Sequence, residues 1–311
     1  MSSLLVFPGQ GAQQPGMLHR LPPGALADAC LRQASEVLGE DALALDSPQA
    51  LASTRAVQLC LLIAGVANAR VLLENGPGAD YVAGLSIGAY PAAVMAGALD
   101  FGDALRLVSL RGELMQQAYP QGYGMTAIIG LELTMVEALL ARVYRPDNPV
   151  YLANINADSQ VVIAGSDAAM AQVAELARGC GVGVAKRLAV SVPSHCPLLE
   201  QPAQALAEAF SRVTLQPPRL GYLSGSRARP LRTPEQLRDD LAFNMCRLVD
   251  WRGTVQSAYE RGVRLQIELP PGAVLTALAR RVFEQGTVIA CDGARLDTLQ
   301  ALLREEGNRQ P

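Results

Sequence analysis

The segment Gly84-Leu85-Ser86-Ile87-Gly88 constrains the fold more than any other part of this chain. It follows the apolar run Tyr81-Val82-Ala83 and precedes a helical pattern that ends near Gly97, so a strand must become a helix within a few residues. A turn that tight leaves no room for a Cβ at its flanks, hence glycine on both sides. The serine between them is lifted to the carboxyl edge of the sheet. The Ile87 N–H, at the helix start, then faces the place where an oxyanion would form. The surrounding pattern supplies the sheet such a turn needs. Ser3 to Phe7 reads as a strand ended by Pro8, and Ala50 to Leu73 as a long apolar-periodic helix stopped by Asn75-Gly76-Pro77-Gly78. Asp103 to Ala118 is amphipathic and closes at Pro120. Strands alternating with helices predict an α/β fold with a parallel sheet covered on both faces.

The middle of the chain changes pattern. Strands are expected at Met125–Ile129, Val150–Ile155, Gln160–Ala164 and Val182–Leu188, with helices at Thr134–Val143 and Ala168–Arg178. That β-α-β-β-α-β order matches a ferredoxin-like subdomain, bounded by Gly122 and Gly124 before it and Pro193 after it. The expected division is a core formed by 1–122 with 189–311, interrupted by a subdomain over 123–188. Beyond it, helices are read at Pro197–Phe210, Pro234–Phe243 and Thr254–Arg261, with strands near Arg219–Leu223 and at Leu265–Leu269.

A serine nucleophile needs a base, and the chain offers two histidines. His19 lies in a polar, proline-flanked stretch that reads as a solvated loop. His195 lies in Val192-Pro193-Ser194-His195-Cys196-Pro197, a loop between elements, where catalytic side chains are usually presented. A lone histidine is more often structural, yet it is the one plausible partner for the serine. No motif marks an acidic third member; Asp250 is a guess. Phe7-Pro8-Gly9-Gln10-Gly11-Ala12-Gln13 follows the first strand and reads either as a plain Pro-Gly turn or as a second oxyanion donor through the Gln10 N–H. It fails as a dinucleotide fingerprint, because Gln14 stands where the third glycine belongs. Arg111 opens Arg111-Gly112-Glu113-Leu114-Met115-Gln116. It is either a solvated surface cation or a fixed guanidinium for a substrate carboxylate, and nothing local decides between them.

Composition removes other classes. With 26 basic and 29 acidic residues the net charge is −3, so no cation excess exists to neutralise nucleic-acid phosphates. Lys186 is the sole lysine and precedes Arg187, which excludes a P-loop. The six cysteines form no C-x-x-C pair and read as reduced, mostly buried thiols, with no metal site expected. The N-terminal run is too short for a signal h-region, and no apolar stretch is read as reaching the ~18 residues of a membrane span. A cytoplasmic location is expected.

Taken together, these residues resemble the malonyl-CoA:acyl carrier protein transacylase family along nearly the whole chain. The resemblance is carried by Phe7 to Gln13, Gly84 to Gly88, the Asp100 to Gln116 helix with Arg111, Gln160 to Gly165, Ser191 to Pro197, and Pro271 to Thr276. It implies an α/β-hydrolase-like parallel-sheet core with an inserted ferredoxin-like subdomain. It also implies that Ser86 is the acyl nucleophile, His195 its base, and Arg111 the holder of the malonyl carboxylate. Gln10 and Ile87 would donate oxyanion hydrogen bonds through their backbones. The histidine would be oriented by the main-chain carbonyl of Asn244, a role indifferent to side-chain identity.

The implied reaction moves a malonyl group from malonyl-CoA through malonyl-Ser86 to the phosphopantetheine-type thiol of an acyl carrier protein, with no tightly bound cofactor. Three positions depart from the family pattern: Leu85 replaces histidine, Ala89 replaces glutamate, and Asn244 replaces glutamine. The Gly-Leu-Ser-Ile-Gly-Ala-Tyr variant looks like the transacylase (epsilon) subunit of malonate decarboxylase, whose other subunits would then be partners. The alternatives are the transacylase of fatty acid or polyketide synthesis, a serine esterase or thioesterase, and a docking subunit that kept the fold.

Overall fold

A computed structural model describes residues 2–74, 76–181 and 183–308. Asn75, first of the expected helix-stop residues, and Val182, with which the last subdomain strand was expected to begin, lie outside the described residues. The strands are β1 (Ser2–Phe7), β2 (Tyr81–Gly84), β3 (Tyr123–Ile129), β4 (Val150–Ala157), β5 (Gln160–Ser166), β6 (Val184–Arg187), β7 (Gly221–Ser224), β8 (Arg229–Leu231), β9 (Val249–Asp250), β10 (Val263–Glu268) and β11 (Thr287–Ala290). The helices are α1 (Ala25–Leu38), α2 (Thr54–Leu73), α3 (Ala89–Met95), α4 (Phe101–Ala118), α5 (Leu133–Val143), α6 (Asp167–Gly179), α7 (Glu200–Phe210), α8 (Pro234–Phe243), α9 (Trp251–Glu260), α10 (Val274–Ala279) and α11 (Leu296–Asn308).

The strands form two sheets. The larger runs β11-β10-β1-β2-β7-β8, parallel throughout except for the β7–β8 hairpin at its edge. Its centre is β1, whose Phe7 is in register with Gly84 at the end of β2. The loops leaving these two strands therefore emerge side by side at the carboxyl edge, the usual crevice of an open α/β sheet. The apolar side chains of α2 fill the core against this sheet, with Leu59, Leu62, Ile63 and Val66 wholly buried. Contrary to the sequence expectation, α2 is long and apolar enough to span a bilayer, at 20 residues and a mean hydropathy of 1.9. Here 83% of that window is buried inside the fold, as befits a central core helix.

The second sheet runs β6-β3-β5-β4-β9. Its first four strands are antiparallel and come from the β-α-β-β-α-β segment the pattern predicts. The fifth, β9, comes from far downstream and pairs parallel to β4 over two residues, too short to leave a sequence signal. Alternation divides the faces of this sheet. Ile128, Val161 and Ile163 pack against Val136, Leu139 and Val173 of α5 and α6. Met125, Ala127 and Val162 face the other way, toward the larger sheet's carboxyl edge. The sequence reading assigned no element to α1, β8, α10, β11 or α11.

Candidate active site

Between the two sheets lies a cleft of about 490 Å³ that Ser86 and His195 both line. One wall comes from the loops at the large sheet's edge: Pro8 to Ala12, Leu85, Ser86, Val274 and Leu275. The other comes from the small sheet, apolar at Met125, Ala127 and Val162, polar at Asn154, Asn156, Gln160 and Lys186.

Steric exclusion fixes the serine. A Cβ on Gly84 would stand 1.9 Å from the Gly88 carbonyl carbon, and one on Gly88 would stand 2.2 Å from the Phe7 carbonyl oxygen. With both flanks pinned, Ser86 is driven to φ 56°, a left-handed conformation that a non-glycine residue rarely adopts. Ile87 follows at the start of a 3-10 turn (Ser86–Gly88) leading into α3, where the first N–H groups have no partner within the helix. Gly9 lets the β1 loop close on this turn, since a Cβ there would meet the Leu85 carbonyl oxygen at 2.9 Å. The Gln10 N–H beside it has no protein acceptor among the described residues. Two backbone donors thus flank the serine.

His195 is held by backbone atoms alone. Its own N–H donates to the Met245 carbonyl at 2.6 Å, and its Nδ1 lies 2.7 Å from the Asn244 carbonyl oxygen. A carbonyl only accepts, so Nδ1 carries the proton and Nε2 keeps its lone pair for a neighbour. Burial lowers the imidazole pKa to about 4, the Arg111 charge pushes the same way, and the Asn244 carbonyl opposes both. The ring is therefore neutral at physiological pH. No hydrogen bond joins it to Ser86, whose Oγ accepts from Arg111 Nη2 at 3.3 Å.

Arg111 is wholly buried and meets the cleft through Ser86. Its Nη1 donates to Gln58 Oε1 at 2.7 Å, and its Nη2 also donates to Asn244 Oδ1 at 3.1 Å. The Tyr90 ring stacks beneath it at 5.9 Å. No carboxylate pairs with it among the described residues, and its Nε has no acceptor. Desolvation lowers its pKa, the mark of a cation without a counterion. The surface reading of Arg111 is thereby excluded.

Two residues of this network escaped the sequence reading. Gln58 is a polar side chain on the long, apolar core helix α2, and that mismatch was the available signal. The Asn244 side chain touches both Arg111 and the Ser86 backbone, which a role confined to its carbonyl does not account for. Asp250 is not an acidic partner for His195: its Oδ1 caps α9 by accepting from the Gly253 N–H at 2.8 Å. His19 is exposed and pairs with Asp46 at 3.0 Å. The Cys196 thiol, adjacent to His195, is pushed up to about 12 by burial and stays protonated, which leaves it a poor nucleophile.

The acyl transferase domain family model matches residues 4–309. The chain is 39% identical to a malonyl CoA-acyl carrier protein transacylase of Haemophilus influenzae, over 89% of this chain and 91% of that one. It is 30% identical to the Bacillus subtilis protein of the same name, over 97% and 98%. Among solved structures, the malonyl CoA-acyl carrier protein transacylase from Coxiella burnetii superposes with a TM-score of 0.91 at 33% identity, covering 98% of each chain. A malonyl-transacylase in complex with its type II PKS acyl-carrier protein gives 0.89 at 34% identity, covering 98% of this chain and 99% of that one.

Proposed function

The chain belongs to the acyl transferase domain family, and from that premise we propose that it transfers malonyl groups from malonyl-CoA to the thiol of an acyl carrier protein. One observation carries the acyl class: a fully buried guanidinium without a counterion donates directly onto the hydroxyl of a serine at positive φ. A carboxylate two bonds from the reacting carbonyl satisfies such a cation, whereas an acetyl group leaves it unpaired at a cost of several kcal/mol. A simple esterase has no use for it.

In the proposed first half-reaction, His195 Nε2 takes the Ser86 proton as Oγ bonds to the thioester carbonyl carbon. The N–H groups of Gln10 and Ile87 hold the oxyanion. The C–S bond then breaks and the proton passes from His195 to the departing coenzyme A sulfur, leaving malonyl-Ser86. In the second half, the carrier thiol gives its proton to His195, its sulfur bonds to the ester carbonyl carbon, and the C–O bond breaks as Ser86 recovers the proton. The Asn244 carbonyl holds the imidazole so that Nε2 serves both halves.

The architecture fits the same reading: an α/β-hydrolase-like core over 1–122 and 189–311 carries the nucleophile, and a ferredoxin-like subdomain over 123–188 roofs the cleft. The transacylases of fatty acid and polyketide synthesis are the better-supported setting. The malonate decarboxylase setting rests on Leu85, which lines the cleft, and Ala89, and it shares every chemical step. Mass spectrometry after malonyl-CoA, then after each candidate carrier, tests both. Malonyl is expected on Ser86 and is discharged by the cognate carrier. An adduct that survives Ser86→Ala rejects the nucleophile, and release as free malonate without acceptor rejects transfer.

A further inference from the structure

Among the described residues, the side chain of Asn244 bonds both Arg111 and the backbone of the turn that carries Ser86. Oδ1 accepts from Arg111 Nη2 at 3.1 Å, and Nδ2 donates to the Ser86 carbonyl at 3.3 Å. A guanidinium only donates and a carbonyl only accepts, so these partners fix which end of the amide faces which. The residue is 4% exposed, and its N–H bonds the Asp240 carbonyl where α8 passes into a 3-10 turn. The helix therefore aims this side chain.

The remaining partners of Arg111 are neutral as well: Gln58 Oε1, Ser86 Oγ and the Tyr90 ring. Held by neutral groups in a low dielectric, the guanidinium keeps its full charge for whatever anion arrives. A carboxylate in the place of Asn244 would answer that charge permanently. It would also set a second acceptor against the Ser86 carbonyl, loosening the turn that carries the nucleophile.

From this arrangement we infer that the Asn244 side chain is a specificity-determining positioning residue, a neutral hook that aims Arg111 at the acyl group while leaving its charge free for a substrate carboxylate. The inference rests on the reading of Arg111 as the carboxylate-binding group. It deepens that reading by placing part of the malonyl-over-acetyl choice in a residue that also orients the base through a different atom.

The test is rapid-quench measurement of acyl-enzyme formation from malonyl-CoA and from acetyl-CoA, on the full chain and its N244A and N244D variants. A hydrogen bond to a charged group corresponds to roughly 10- to 100-fold in a rate ratio, so N244A should lower the malonyl-to-acetyl ratio by about 10-fold. N244D, which supplies a built-in counterion, should lower it by about 100-fold. N244A keeps both the main-chain carbonyl and the Arg111 charge, so its acid limb of acetyl loading should stay where it is in the unmodified chain, whereas N244D, by answering that charge, should move the limb to higher pH. Should N244D fail to fold, N244A carries the test alone. An unchanged ratio, or equal loss for both acyl groups, overturns the role of Asn244 while malonyl loading of the unmodified chain stands. An unmodified chain that takes no malonyl group overturns the underlying reading and this inference with it.

Discussion

Ser86 and His195 both sit at positive φ, 56° and 64°, yet the two regions reach that strained backbone by different routes. At the serine the cause is local: two glycines within five residues permit a contact that any Cβ would forbid. At the histidine the cause is distant. Its backbone N–H and its ring are gripped by the carbonyls of Met245 and Asn244, about fifty positions further on in the chain. Ser86 is thus set by side-chain absence, and His195 by main-chain presence. Side-chain substitution should therefore break the first region readily and the second only through the histidine itself.

Removing either functional group is the severest way to probe that contrast. Ser86→Ala and His195→Ala should each lower malonyl transfer by about 10⁴-fold or more, since members of such a pair act as a unit. Stopped-flow release of coenzyme A reads this, and a His195→Ala variant within tenfold of the unmodified rate would unseat the base. Next comes the scaffold. Gly84→Ala should cost about 4 kcal/mol or more in denaturant unfolding, because its Cβ has nowhere to go. A mild effect would mean that the turn is not sterically locked.

Arg111→Ala should reduce malonyl loading about 100-fold and spare acetyl loading, and equal losses would reduce Arg111 to a structural role. The pH dependence sharpens the comparison further. Buried His195 holds no proton until about pH 4, against 6.5 for an ordinary imidazole, so between those values the unfolded chain binds the proton more readily. Its contribution to stability is complete above about 6.5 and is lost as pH falls toward 4. The acid limb of malonyl-CoA loading should likewise centre near 4, and a limb near 6.5 would place the imidazole in water. The smallest effect is expected at Asp250→Ala. Losing the α9 cap should cost about 1 kcal/mol and leave transfer unchanged, and a large fall in rate would restore Asp250 to the catalytic group.

Much of the fold was legible because periodicity and punctuation are local. The strand before Gly84, the amphipathic α4 and the β-α-β-β-α-β order all follow from spacing and turn residues. The pairing of β9 with β4 was not, since a two-residue strand has no period to detect. Arg111 illustrates the same limit at the site. Its helix was expected, but only packing against Gln58, Tyr90 and Asn244 turned an apparently solvated cation into a buried one.

What the sequence determined by itself was the exposed turn that carries Ser86, because glycine and serine at that spacing encode their own geometry through excluded volume. What the tertiary structure alone decided was the state of His195 and of the Arg111 cation near it. The groups that orient His195 are carbonyl oxygens, which every residue possesses and no residue advertises. The charge of Arg111 stays unanswered because of what packing left out, and a missing neighbour is not written at any single position of the chain.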